Sequence, residues 1–244
     1  MKRPLGDWLT ARAFAHRGLH DARRGVPENS LPAFAAAIAA GYGIELDVRR
    51  LASGEPVVFH DRDLARMTGR KGAIADIARR QLSGLHLAST AERVPLLSEV
   101  LDMVRGRVPV LIEIKNDGRA GALEQKVAKL LTAYEGPFAV ISFNPFSLAW
   151  FRRHAPAFVR GQTAAAFRGR DMPLWRRLAQ RDYLLNIVSR PDFLLYEIGA
   201  LPRRSVALLR ALGWPLLVYT VTTQAEREKA LTLADNYIFE NLDR

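Results

Sequence analysis

The chain has no cysteine. That removes disulfides, zinc–thiolate sites, iron–sulfur clusters and thiol nucleophiles together, and it fits a reducing compartment. No apolar run reaches the roughly 18 residues that span a membrane, and none of the roughly 7–15 that a signal peptide needs follows the basic start Met1-Lys2-Arg3. A soluble cytoplasmic protein without stable membrane insertion is the expectation. Acids are scarce beside bases, 25 Asp and Glu against 36 Lys and Arg, for a formal charge of +11. Such a surplus attracts polyanions, anionic lipid surfaces or phosphorylated small molecules. The arginines are scattered in ones and twos, such as Arg23-Arg24 and Arg79-Arg80, and no zinc finger or RNP strand is present. A nucleic-acid partner is therefore not expected.

What is there is an alternation. Of the 244 residues 49% are hydrophobic, enough for the core of one α/β domain. Short apolar runs at Ala13–Ala15, Ile44–Val48, Val108–Ile114, Phe138–Ser142, Phe158–Gly161, Tyr183–Ile187, Pro215–Val221 and Tyr237–Phe239 read as eight strands. Segments of helical period fall between most of them. The first helix is announced by the polar caps Asn29 and Ser30, by Pro32 in its first turn, and by Gly41 beyond its end. Eight strands with crossover helices point to a closed TIM (β/α)8 barrel. A doubly wound open sheet competes, but no Gly-x-Gly-x-x-Gly follows the first strand. Residues 61–96 resist the pattern: Gly69, Gly72 and Gly84 punctuate them, with one brief helical stretch near Ile74–Leu82. Residues 1–244 thus read as a single barrel domain with an insertion at about 61–96.

The polar residues collect where these strands end. His16-Arg17-Gly18 follows the first, Glu45-Leu46-Asp47 ends the second, His60-Asp61 follows a short extended piece at Pro56–Phe59, and Glu113-Ile114-Lys115 ends the third. Barrel active sites gather on that face. Residues i and i+2 of a strand point the same way, so Glu45 and Asp47 project together, as do Glu113 and Lys115. Three carboxylates on one rim repel one another unless a cation sits among them. Oxygen ligands without cysteine suit Mg²⁺ or Ca²⁺ better than zinc. Each motif alone also has a bland reading: a solvated acid pair, a structural histidine, helix caps at Asn29 and Ser30, a surface pairing of Lys115 with Glu113. Their alignment at successive strand ends is what favours a site.

Taken in order, His16-Arg17-Gly18, Pro27-Glu28-Asn29-Ser30, Glu45-Leu46-Asp47-Val48, Val58-Phe59-His60-Asp61 and Glu113-Ile114-Lys115 resemble the signature of the glycerophosphodiester phosphodiesterase family. The resemblance implies a TIM barrel with a small insertion after the second strand. It implies hydrolysis of a glycerophosphodiester to glycerol 3-phosphate and an alcohol. Glu45, Asp47 and Glu113 would hold one divalent cation, His16 and His60 would be the general acid–base pair, and Arg17 with Lys115 would hold the phosphate. Glu28 and Asn29 would give positional support. The order of the two histidines, and attack by water or by the neighbouring glycerol hydroxyl, stay open, as does oligomeric state. His20, His86 and His154 have no motif and read as structural or solvent-exposed.

The chain departs from the family near its end. Tyr219 stands where members carry Trp before Thr-Val, and Asp235-Asn236-Tyr237-Ile238 with Phe239-Glu240 replaces the usual closing run. These positions bear on substrate preference more than on catalysis. A lysophospholipase D-like enzyme on lysophospholipids is the first rival, with peripheral membrane contact. Against it, residues 61–96 are polar and basic, with Arg62, Arg66, Arg70 and Lys71. A non-catalytic anion-binding barrel is the second rival, although no residue of the motif set is missing.

Overall fold

The structure is a computed structural model; it describes residues 5–116, 118–167 and 173–242, leaving out the side chain of Arg176. Nine strands form one sheet: β1 (Phe14–His16), β2 (Gly43–Arg50), β3 (Pro56–Val58), β4 (Val110–Ile114), β5 (Phe138–Ser142), β6 (Val159–Ala164), β7 (Phe193–Glu197), β8 (Leu216–Val221) and β9 (Asn236–Phe239). All but β3 run parallel, and β1 pairs with both β2 and β9, which closes an eight-stranded barrel. The expected TIM barrel is the observed architecture. No helix among the described residues is long and apolar enough to cross a membrane.

Strand periodicity sorts the side chains. Phe14, Leu111, Ile141, Phe193, Leu195 and Leu217 fill the barrel interior. Their neighbours, such as Ala15, Ile112, Val140, Leu194 and Val218, pack outward against the helices. Full burial of each large side chain contributes about 1.5–3 kcal/mol, so the alternation fixes the register of every strand. The helix Leu31–Ala39 starts where expected, with Ser30 Oγ accepting from the Ala33 amide at 3.4 Å. The lower mouth is stoppered by Leu9, and Asn236 holds this plug by donating from Nδ2 to the carbonyls of Leu9 and Arg12 at 2.8 and 2.7 Å. The altered residue Asn236 thus works at the end of the barrel away from the polar rim. Tyr237 accepts a hydrogen bond from Arg227 Nε through its hydroxyl at 3.2 Å.

Three local expectations differ. Tyr183–Ile187 is not a strand: Tyr183 sits in a turn with φ +59°, Asn186–Ser189 is helical, and the strand is β7. A five-residue apolar run does not separate strand from buried turn, and the Pro191-Asp192 break just before Phe193 was the better signal. The brief helix at Ile74–Leu82 is two 3-10 turns, Ile74–Asp76 and Arg79–Gly84. The excursion from the barrel is also longer than 61–96. Leu51, Phe59, Leu64, Ile74, Leu85 and Val94 are buried in a cluster of their own, separate from the barrel core. β3 runs antiparallel along the last residues of β2, pairing Val58 with Val48, and so carries His60 and Asp61 back to the rim.

Candidate active site

Register builds the site. His16 is the last residue of β1 and lies opposite Glu45 of β2, while Asp47 lies opposite Glu113 of β4. Inward positions one layer deeper are apolar, so the first polar layer of the barrel interior is this one. After β1 the chain turns sharply: Arg17 and Gly18 take φ +55° and +81°. A β-carbon on Gly18 would stand 2.9 Å from Ala33 and from the Phe34 ring, so only glycine lets the turn lie against the first helix. Asn29, also left-handed at φ +54°, donates its amide to the Arg17 carbonyl at 2.9 Å.

Glu45, Asp47 and Glu113 are buried, and one oxygen from each lies within 4.8 Å of the others. Lys115 Nζ stands 3.1 Å from Asp47 Oδ1 and 2.8 Å from Glu113 Oε1. Arg17 Nε reaches Asp47 Oδ2 at 3.2 Å, and Asn29 Nδ2 donates to the same oxygen at 2.9 Å. Burial pushes Asp47 up, but Lys115 and Arg17 outweigh it and hold the carboxyl well below the usual range. Glu45 and Glu113 are pushed up, by burial first; Asp47 adds to both. Burial works against the Lys115 charge, yet Asp47 and Glu113 hold it above its ordinary value.

Three acids against two bases leave one negative charge in excess. The single ammonium of Lys115 is shared between the buried oxygens Asp47 Oδ1 and Glu113 Oε1. Buried, oxygen-only and under-satisfied, this donor set fits a hard divalent cation.

The two histidines flank the acids in similar settings. His16 Nδ1 lies 2.6 Å from Glu240 Oε2, and its Nε2 lies 4.0 Å from Glu45 Oε2. His60 Nδ1 lies 2.7 Å from Asp61 Oδ1. A carboxylate only accepts, so each Nδ1 carries the proton and each Nε2 is left for other chemistry. Burial lowers His16, but Glu240 and Glu45 more than offset it and raise its pKa. Burial with Lys115 and Arg17 lowers His60.

Both histidines, Arg17, Glu45, Glu113 and Lys115 line one cavity of about 200 Å³, with Phe143, Thr163 and Tyr219 among its other walls. A larger cleft of about 550 Å³ lies beside the N-terminal plug, but it holds no such cluster. Glu28 stands behind the cavity, accepting from Arg17 Nη1 at 2.8 Å and from Arg66 Nη1 and Nη2 at 2.9 and 2.7 Å. Asn29 also accepts from the Asp47 amide at 3.3 Å. Tyr219 turns its hydroxyl to the Ala164 carbonyl at 2.8 Å and offers the cavity its ring.

All nine singled-out residues therefore meet around one rim. Three partners were not singled out: Asp61, Arg66 and Glu240. The His60-Asp61 adjacency pointed to Asp61, whereas nothing local marked Glu240, whose link to His16 exists only once the barrel closes. His20, read as structural or solvent-exposed, lies 3.6 Å from Glu240 Oε1.

Comparison with known proteins bears on the family and the fold. The chain is 30% identical to a glycerophosphodiester phosphodiesterase of Bacillus altitudinis over 251 aligned positions, covering 93% of each. It superposes with a TM-score of 0.76 on a putative glycerophosphoryl diester phosphodiesterase from Silicibacter pomeroyi, at 26% identity, covering 93% of this chain and 89% of that one. An Oleispira antarctica phosphodiesterase in complex with the product sn-glycerol-3-phosphate shares the fold at TM-score 0.77 and 22% identity, covering 95% and 93%. The profile of the Glycerophosphoryl diester phosphodiesterase family matches residues 16–240, from the first site histidine to the carboxylate that holds it; the chain belongs to that family and is a phosphoric diester hydrolase.

Proposed function

We propose that the enzyme hydrolyses glycerophosphodiesters to glycerol 3-phosphate and an alcohol, using a divalent cation, Mg²⁺ or Ca²⁺, held by Glu45, Asp47 and Glu113. The observation that carries this reading is the meeting of three buried carboxylates, two cations and two carboxylate-tethered histidines around one 200 Å³ cavity. The glycerol phosphate bound by the Oleispira antarctica protein supports the product.

Glu45, Asp47 and Glu113 would hold the cation, whose chemistry would be to neutralise charge on the phosphate oxygens. Arg17, fixed by Glu28, and Lys115 add preorganised positive charge beside it. The Nε2 atoms of His16 and His60 divide the proton transfers: one histidine, neutral and free at Nε2, takes the proton of the nucleophile, and the other, entering as the imidazolium, gives its Nε2 proton to the leaving alkoxide. The walls Phe143, Tyr219 and Ile141 exclude bulk water from the glycerol side.

A lysophospholipid substrate is the second reading. Leu174 and Trp175 are exposed at the start of the helix that follows β6, on the barrel end that carries the site. Against it, no large hydrophobic residue of 61–96 is exposed among the described residues.

The test is a coupled assay for glycerol 3-phosphate with glycerophosphocholine, glycerophosphoethanolamine and glycerophosphoglycerol, each with Mg²⁺, Ca²⁺ or EDTA. Release that EDTA abolishes is the expected result. Silence with all three, together with turnover of lysophosphatidylcholine, would transfer the assignment to the second reading.

A further inference from the structure

A second cleft, of about 410 Å³, adjoins the catalytic cavity and shares Lys115 with it as a wall. Three separate stretches of chain bring arginines to it: Arg49 and Arg50 from the end of β2, Arg62 from the insertion, and Arg119 from the loop after β4. Arg49 braces the wall between the two spaces, donating from Nε to the His60 carbonyl at 2.7 Å and from Nη1 to the Lys115 carbonyl at 3.5 Å. Arg50, Arg62 and Arg119 are exposed, and no described carboxylate pairs with them. Asp117, in the same loop, lies outside the described residues.

Like charges brought together from distant parts of the chain repel one another and weaken the fold slightly. Elsewhere near this rim the protein answers each arginine with an acid: Arg17 with Glu28 and Asp47, Arg66 with Glu28 and Asp61. For Arg50, Arg62 and Arg119 no described acid plays that part, and their charge faces solvent or a ligand. The guanidinium fork matches the oxygens of a phosphate monoester, and several forks around one concavity suit a dianion. The catalytic cavity offers nothing comparable beyond its own phosphate site, since Ile141, Phe143, Thr163 and Leu195 are uncharged. That side suits glycerol, and Lys115, common to both spaces, makes the arginine cleft the charged neighbour of the phosphate site.

We propose that the Arg50–Arg62–Arg119 cleft binds a second phosphate carried by the leaving alcohol, so that the enzyme prefers glycerophosphodiesters with a phosphorylated head group. The inference rests on the reaction proposed above and names its substrate class.

The experiment compares kcat/KM for glycerophosphoinositol and glycerophosphoinositol 4-phosphate in the glycerol 3-phosphate assay. It uses the wild type, the triple variant R50Q/R62Q/R119Q, and a control pair R152Q/R153Q on the helix Pro145–His154, whose end lies at the opposite side of the barrel. The expected wild-type preference for the phosphorylated substrate is about tenfold, carried mainly by KM and shrinking with added salt. The triple variant should lose that preference while its rate on glycerophosphoinositol stays unchanged, and the control pair should keep it. Equal kcat/KM for the two substrates, an equal loss on both in the triple variant, or the same loss in the control pair would overturn the cleft as a site. Turnover of glycerophosphoinositol without preference sinks this inference alone. No release from either substrate with any metal sinks the proposed reaction and the inference with it.

Discussion

His16 and Glu240 are 224 residues apart in sequence and 2.6 Å apart in space. One ends the first barrel strand and the other follows the last, so the contact exists only when the barrel is closed. It fixes the imidazole by its Nδ1 and aims Nε2 toward Glu45. His60 is fixed in the same manner by its sequence neighbour Asp61. The site thus has two histidines oriented by two carboxylates, one local and one supplied by the whole topology.

Replacing Glu240 tests that orientation. Glu240→Gln keeps an acceptor but removes the charge that stabilises the imidazolium. A buried triad aspartate changed this way is worth roughly 10⁴ in kcat. The Glu240 side chain is 31% exposed, so solvent screens part of its charge, and a loss of about 10² in kcat with little change in KM is expected. Glu240→Asp should recover part of the rate. Steady-state kinetics decide: an unchanged kcat in Glu240→Gln would remove Glu240 from the mechanism.

The histidines themselves should each matter more. His16→Ala and His60→Ala are expected to lower kcat by about 10²–10⁴, with circular dichroism and melting temperature close to wild type because both side chains line the cavity and neither belongs to the apolar clusters of the core. Wild-type turnover by either variant would overturn that residue's assignment.

Glu45 is the least compensated of the three acids. Asp47 has Lys115, Arg17 and Asn29, and Glu113 has Lys115, but the nearest donor to Glu45 is the Arg17 amide at 3.2 Å. Without metal its charge is repelled by Asp47 and disfavoured by burial. Glu45→Gln should therefore stabilise the metal-free protein, by about 1 kcal/mol or about 2–4 °C in Tm. The rise in Tm produced by Mg²⁺ or Ca²⁺ should shrink in the same variant. Melting curves in EDTA and in each metal read both effects, and a lower Tm in EDTA would contradict the repulsion argument.

Much of this was legible before any coordinates. Glu45-Leu46-Asp47 and Glu113-Ile114-Lys115 announce themselves because strand period and strand end are both visible in a short run. Tyr183–Ile187 misled because five apolar residues carry too little period to separate a strand from a buried turn. Asn236 and Glu240 looked like one block of changes on the last strand. Opposite ends of that strand face opposite ends of the barrel, so Asn236 holds the plug while Glu240 holds His16. That separation depends on β9 pairing with β1, a long-range fact that no local pattern contains. The insertion was opaque for a related reason: its apolar residues form a cluster with one another, without a helical or strand period to reveal it.

Away from the site, Asp182 gives a pH-dependent test of how the helices on the far wall are joined. Its Oδ1 accepts from Arg203 Nε at 2.6 Å and Ser205 Oγ at 2.8 Å, and its Oδ2 from Arg181 Nη2 at 2.9 Å. Asp182 directly follows the helix Leu174–Arg181, and Ser205 lies in the first turn of the helix Arg204–Ala211, so one carboxylate ties the two together. Burial pushes Asp182 up, but these hydrogen bonds outweigh it and bring the pKa down to about 2. A folded-state pKa below the unfolded value of about 3.9 means that the charged form stabilises the fold. That stability is complete above about pH 4 and disappears as pH falls through about 2. Asp182→Asn should thus lower Tm by about 2–4 °C at pH 7, equivalent to about 1 kcal/mol. The gap between variant and wild type should close as the pH approaches 2. The carboxylates of the candidate site are the same in both proteins, so the difference between the two curves isolates Asp182. A gap of constant size down to that pH would show that the ionised carboxylate is not what joins the helices.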